Sequence, residues 1–218
     1  MTTRFGRWLC GGLALCAVAV RADGAPAAPG SLPTALVAAP RPQLEPIPFA
    51  KLRAGIVLSE ATDEGDSAGS VRGLAIAKCP PAALFAVLTS HADFAEFMPR
   101  VEKMVVSRRT ERGERAQQTV DASVTTMTYS LDYRWDPQAL RVEFALAQDA
   151  PHDIKAATGQ WQLWELDGGK ATLIEYRTSA DIGRSLPGFA KRWAQERGVK
   201  DAVDAVRRRA ESGGTWKK

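Results

Sequence analysis

Between residues 127 and 135 the chain alternates without a break. Met127, Tyr129, Leu131, Tyr133 and Trp135 fall on one side, and Thr128, Ser130, Asp132 and Arg134 on the other. A period of two over this length predicts a strand with one covered face and one wet face, which is antiparallel-sheet behaviour. Shorter alternations surround it. Met104 and Val106 alternate with Lys103 and Ser107, and Val120, Ala122 and Val124 with Thr119, Asp121 and Ser123. Val142, Phe144 and Leu146 make another such run, and residues 157–166 carry Trp161 and Leu163 on one face. Asp167-Gly168-Gly169-Lys170 reads as a tight hairpin turn, from which 172–180 returns. Earlier, 56–61 and 71–77 read as two strands joined through the turn-forming cluster 63–69.

Helical spacing appears in three places. Pro80-Pro81 opens a helix over 82–88, because proline is tolerated in a first turn. A second, short helix is expected over 93–97, stopped by Pro99. After Pro187 a long helix carries Phe189, Trp193, Val199, Val203 and Val206 in one apolar stripe and ends at Gly213-Gly214, leaving a flexible tail over 213–218. The order is hairpin, two short helices, further strands, long helix. That is an α+β fold: a curved antiparallel sheet of about seven strands around a C-terminal helix. No helices separate the strands, which excludes a parallel doubly wound sheet. One helix against a strongly curved sheet leaves a gap, to be filled by side chains or by a ligand.

The first 50 residues do not share this patterning. Arg4 and Arg7 precede an uncharged stretch from Trp8 to Val20, and Val20 and Ala22 suit a cleavage site. Residues 1–22 therefore read as a secretory signal peptide, with an apolar run too short for a span of about 20 residues. Residues 23–50 hold seven prolines, from Pro26 to Pro48, and read as a disordered Ala/Pro-rich linker. The folded domain is expected over 51–212. Export changes the charge picture. The chain has 29 basic and 25 acidic residues, and loss of Arg4, Arg7 and Arg21 brings the two nearly level. The balance gives no reason to expect nucleic-acid binding. A local surplus persists over 190–218, where a basic helix is either a solvated face or a peripheral contact with anionic membrane. Cys10 and Cys16 leave with the signal, so Cys79 is alone and no intramolecular disulfide forms.

Little in the chain suggests catalysis. His91 sits where it could cap the second short helix, and His152 lies beside Asp153 in a polar loop; solvation or packing accounts for both. Cys79 has no basic partner except Lys78 and reads as an inert thiol. Two histidines and one cysteine at unrelated positions make no metal signature, and no cofactor is expected. Glu175 neighbours Leu173 in the alternation and can point either way; an inward, desolvated Glu175 would favour an enzyme.

Several segments together resemble the START-like (SRPBCC, helix-grip) superfamily, nearest its polyketide cyclase/dehydrase and coenzyme-Q-binding branch. They are residues 77–89, 94–101, Gly159-Gln160-Trp161-Gln162-Leu163, Thr172-Leu173-Ile174-Glu175-Tyr176, and Leu186-Pro187 at the start of the last helix. The resemblance implies an apolar cavity between sheet and helix, with lipids, isoprenoid quinones, sterol-like molecules or polyketides as ligands. Read with it, the inward stripe becomes a candidate wall: Met104, Val106, Val120, Val124, Met127, Tyr129, Leu131, Tyr133, Trp135, Phe144, Trp161 and Leu163. Phe189 and Trp193 would face it from the helix, with Phe94 and Phe97 at the mouth. Three functions remain: an exported (periplasmic or secreted) binding protein for a hydrophobic small molecule or lipid, a cyclase or dehydratase acting on a polyketide-like substrate, and an interaction module with a filled cavity.

Overall fold

The computed structural model describes residues 47–62, 70–122, 125–183 and 188–218, with the side chains of 61, 62 and 188–195 left aside. The expected signal and most of the expected linker lie outside the described residues. Eight strands form one antiparallel sheet: β1 (Leu58–Thr62), β2 (Ser70–Ala77), β3 (Val101–Thr110), β4 (Gly113–Asp121), β5 (Thr126–Asp136), β6 (Arg141–Leu146), β7 (Ala156–Leu166) and β8 (Ala171–Asp181). Their order across the sheet is β1-β2-β8-β7-β6-β5-β4-β3. Helices α1 (Phe49–Arg53), α2 (Pro81–Leu88), α3 (Phe94–Phe97) and α4 (Gly188–Glu211) complete the fold, with a 3₁₀ turn at His91–Asp93 leading into α3. Pro81 occupies the first turn of α2, where its missing N–H costs nothing.

The sheet has eight strands, and β4 is the one whose extent differs most from the expectation, beginning at Gly113 rather than near Thr119. Its inward positions, paired with Tyr133, Leu131 and Tyr129 of β5, are Glu114, Ala116 and Gln118. Polar residues on the covered face erase the hydrophobic period, so only the end of β4 near Val120 was legible. Ala122 is not in the strand; its N–H bonds Thr125 O across the β4–β5 connection, and Val124 lies outside the described residues.

α4 packs across β2 and β1. Gly73 permits this approach, since a Cβ there would stand 2.7 Å from Val199 Cγ1 and 2.9 Å from Val203 Cγ2. Val199, Val203 and Val206 are buried as the stripe requires. A second apolar cluster lies on the other face of the sheet, where Ile47 and Leu52 cover Leu74, Ile76, Ala171 and Leu173. Strands β2 and β8 are thus covered on both sides over part of their length and read as continuous apolar runs there. The same cluster moves the start of the folded part: Ile47 is buried and α1 begins at Phe49, so 47–50 belong to the domain rather than the linker.

The C-terminal residues are also tied down rather than free. Arg209 donates to Trp216 O at 2.8 Å and to Glu96 Oε2 at 3.0 Å, and Lys218 Nζ reaches Val101 O at 2.6 Å. Arg208 caps the face of Trp216 from 5.6 Å. A tail anchored by this many polar contacts to α3 and β3 closes the end of the domain.

Candidate functional site

The inner face of the sheet carries all three tyrosines of the chain. Tyr129 and Tyr133 stand two inward positions apart on β5, and Tyr176 lies on β8 opposite Trp161. Trp161 and Tyr176 stack at 3.9 Å with an 11° interplanar angle, Phe144 sits 6.2 Å from Tyr176, and Tyr133 sits 5.9 Å from Phe144. Gly159 makes room for this stack, because a Cβ there would meet Phe144 Cζ at 2.3 Å. Burial pushes the Tyr129 phenol up to about 12, with a hydrogen bond to Gln118 opposing it. Burial raises Tyr176 too, against a hydrogen bond with Thr178. Yet both rings keep accessible surface. The two tyrosines thus border the aromatic core rather than sit at its centre. Met104, Val106, Ala122 and Ile182 share this partly buried state around the same core.

The other expected wall residues divide clearly. Met127, Leu131, Tyr133, Trp135, Phe144, Trp161 and Leu163 are buried in the core. Val120 is half-buried beside Met127. Trp135 lies toward the β3–β4 hairpin and donates its N–H to Glu111 O at 3.1 Å. Phe94 and Phe97 pack edge to face at 5.3 Å beneath α3, with the Arg209 guanidinium 5.3 Å from the Phe97 ring. Phe97 borders a separate groove of about 320 Å³ between α2, α3 and the end of α4. Phe189 and Trp193 are on α4, but their side chains lie outside the described residues.

Glu175 points away from the aromatic inner face. It is fully buried on the opposite face, where Arg72 Nε donates to it at 2.5 Å and Arg177 Nε at 2.8 Å. The His152–Asp153 pairing does not form: His152 is exposed and Asp153 accepts from Thr128 N–H at 2.7 Å. Burial pushes Cys79 up to about 11, which keeps it a thiol. On α4, Arg197 pairs with Asp201 and Arg208 with Asp204, so part of the basic surplus is neutralised in place.

The group that the sequence did not reveal is His91. It caps no helix. Its side chain is 1% exposed, its Nδ1 lies 2.6 Å from Glu114 Oε1, and the Glu114 carboxylate is fully buried. The imidazole stacks 3.7 Å from Tyr133 and 4.7 Å from Phe94. Arg109 approaches Glu114 Oε2 at 3.5 Å from the rim. Only Glu114's place in β4 could have signalled the pair, and that strand is the one whose period was erased. Burial, the dominant influence, lowers the His91 pKa below its ordinary 6.5, against the raising effect of Glu114. The unfolded chain then takes a proton more readily than the folded one as pH falls through about 6.5, so stability drops. Urea midpoints measured from pH 7.5 to 5.5 are expected to decline, and His91→Gln should flatten that slope.

Residues 78–207 match the profile of the family described as polyketide cyclase/dehydrase and lipid transport. The chain belongs to that family. Three solved structures share its fold. A STAR-related lipid transfer protein from Xanthomonas axonopodis has a TM-score of 0.63 and 17% identity, with 71% of this chain and 93% of that one covered. The ZhuI aromatase/cyclase from Streptomyces sp. R1128 has a TM-score of 0.58 and 17% identity, covering 66% and 94%. A START superfamily protein from Mycobacterium smegmatis has a TM-score of 0.57 and 11% identity, covering 66% and 97%. No curated protein matches at a significant level. This START-like domain therefore sits in a family whose description spans both lipid transport and enzymes.

Proposed function

We propose that this START-like domain is an exported binding protein that holds a hydrophobic small molecule or lipid between the sheet and α4. The observation that carries the reading is the aromatic inner face of the sheet, where Tyr129 and Tyr176 stay only partly buried at the edge of the core formed by Tyr133, Phe144 and Trp161. Aromatic and aliphatic side chains supply the apolar wall, and the Tyr129 and Tyr176 phenols with Gln118 supply a few polar atoms to orient a ligand. The similarity to a lipid transfer protein supports a carrier. The signal-like N-terminus supports a periplasmic or secreted location, and the surplus of positive charge over 190–218 supports delivery at an anionic membrane. The outward Glu175, held by Arg72 and Arg177, weakens the cyclase alternative, of whose expected candidates Tyr129, Tyr133, Glu175 and His152 it was one.

Native mass spectrometry of the protein isolated from an expressing cell, with lipid extraction, tests the reading. A co-purifying apolar molecule supports it and names its class. An apo mass, with no thermal shift across a panel of isoprenoid quinones, sterols and fatty acids, sinks it. For a ligand that hydrogen-bonds to these phenols, Tyr129→Phe should weaken binding by about 1 kcal/mol, roughly five-fold, while leaving a purely hydrocarbon ligand unaffected. Titration calorimetry on both variants checks this.

A further inference from the structure

We propose that the end of the sheet where β5 turns into β6 is a binding site for a phosphate group, held by Arg112, Arg134 and Arg141. The site lies on the outer side of the sheet and does not depend on the ligand-binding reading.

Arg134 and Asp136 on β5 stand directly across from Glu143 and Arg141 on β6. They alternate with Trp135 and Val142, which are buried in the core, so the four charged side chains face outward. Arg112 joins them from the β3–β4 turn, where the Trp135 N–H bonds Arg112 O at 3.0 Å. Together with Trp135 these groups line a cavity of about 210 Å³, room for one small anion and its remaining waters.

Charge decides what fits there. Three guanidinium groups face two carboxylates, and both carboxylates are already satisfied. Glu143 is 7% exposed; Arg134 Nη2 donates to its Oε2 and Arg141 Nε stands beside its Oε1, each at 3.1 Å. Asp136 Oδ1 accepts the N–H groups of Gln138 and Ala139 at 2.9 and 3.1 Å. The Arg112 side chain interacts with Asp136 through space, with no ion pair or hydrogen bond among the described residues. A guanidinium has five N–H donors, so Arg112 and Arg141 have donors to spare. A fourth guanidinium, Arg109, lies 5.9 Å from the Trp135 ring and adds positive potential at the same end. Forks that converge from a turn and two strands suit a tetrahedral anion with several terminal oxygens. A planar carboxylate is saturated by one of them.

The backbone holds this arrangement in place. Gln162 Nε2 donates to Ala139 O at 2.8 Å and the Leu163 N–H to Leu140 O at 3.1 Å, so β7 clamps the turn. Leu140 adopts φ +52°, a left-handed conformation that a branched side chain rarely takes. Such strain persists where its surroundings over-determine it, and it gathers at ligand sites. Arg141 follows directly and is set across from Asp136.

Titration calorimetry of the full chain with inorganic phosphate, at an ionic strength held constant with sodium chloride, tests the proposal. Saturable one-site binding with a dissociation constant of about 1 mM or tighter is expected. Arg112→Gln should weaken it about ten-fold, the effect of losing one charge-assisted contact, with the thermal midpoint in chloride unchanged. Arg141→Gln should weaken binding in the same way, and Lys200→Gln on α4 should leave it as it is. Flotation with vesicles then separates the sources of the phosphate. Capture by phosphatidic acid vesicles that is lost in Arg112→Gln supports the site with a lipid headgroup as its ligand. Phosphate binding without capture, or with capture that Arg112→Gln leaves intact, supports it with a soluble phosphate or phosphate monoester. No saturation by about 20 mM phosphate, or phosphate binding that Arg112→Gln leaves unchanged, overturns the proposal.

Discussion

Glu175→Ala is expected to destabilise the domain by about 3–5 kcal/mol, the cost of removing one partner from a buried ion pair. The carboxylate is 0% exposed and Arg72 only 14%, so Arg72 would be left with an unpaired charge away from water. Arg177, at 42% exposure, can turn to solvent and contributes little to the loss. Domains of this size are stable by about 5–15 kcal/mol, so the change removes a large share of the total. Thermal unfolding should fall by about 10 °C, given about 2–4 °C per kcal/mol at this length. Two controls separate charge from packing. Glu175→Gln keeps an acceptor and should lose less. Arg72→Met with Glu175→Leu removes both charges and should recover most of the stability. A Glu175→Ala midpoint within 0.5 kcal/mol of the parent would show that the pair is not the keystone of this face.

Gly159→Ala should cost about 3 kcal/mol and disturb the aromatic inner face as well. The new Cβ would stand 2.3 Å from Phe144 Cζ and 2.6 Å from Arg177 O. The carbonyl belongs to the β7–β8 ladder, so the strands must shift locally as well as Phe144. Its ring is held near Tyr133 and Tyr176, and overpacking of this kind usually costs about 1–3 kcal/mol. Phe144→Leu in the same chain should return part of the loss, and a double-mutant cycle in urea reads that coupling directly. Equal effects in the presence and absence of Phe144 would sever the link between this glycine and the aromatic stack.

These two sites show where local pattern is and is not informative. The alternation over 127–135 was sufficient for β5, because one face carries its apolar residues into the core and the other, apart from the buried Ser130, stays partly exposed. The turn at Asp167–Gly169 was legible for a different reason: positive φ at Gly168 and Gly169 is a local requirement that glycine meets. The helix stripe of Val199, Val203 and Val206 was legible because a single face is buried. Glu175 shows the limit. Its strand is covered on both sides at that point, so neither burial nor period reveals which face it takes. Gly159 stands in the sequence only as the first residue of the segment Gly159–Leu163 that carries the resemblance; its role in packing comes from a ring on the neighbouring strand.

The sequence by itself determined the α+β order of elements, the antiparallel sheet, the long last helix and the apolar character of the inner face, since each follows from periods within a single segment. Tertiary structure alone decided the polar inner face of β4, the His91–Glu114 contact across 23 residues, the outward turn of Glu175 and the anchoring of the tail to α3. Each of these joins groups from different segments. Their energies depend on who the neighbour is and on how little water remains between them, and a one-dimensional pattern carries neither.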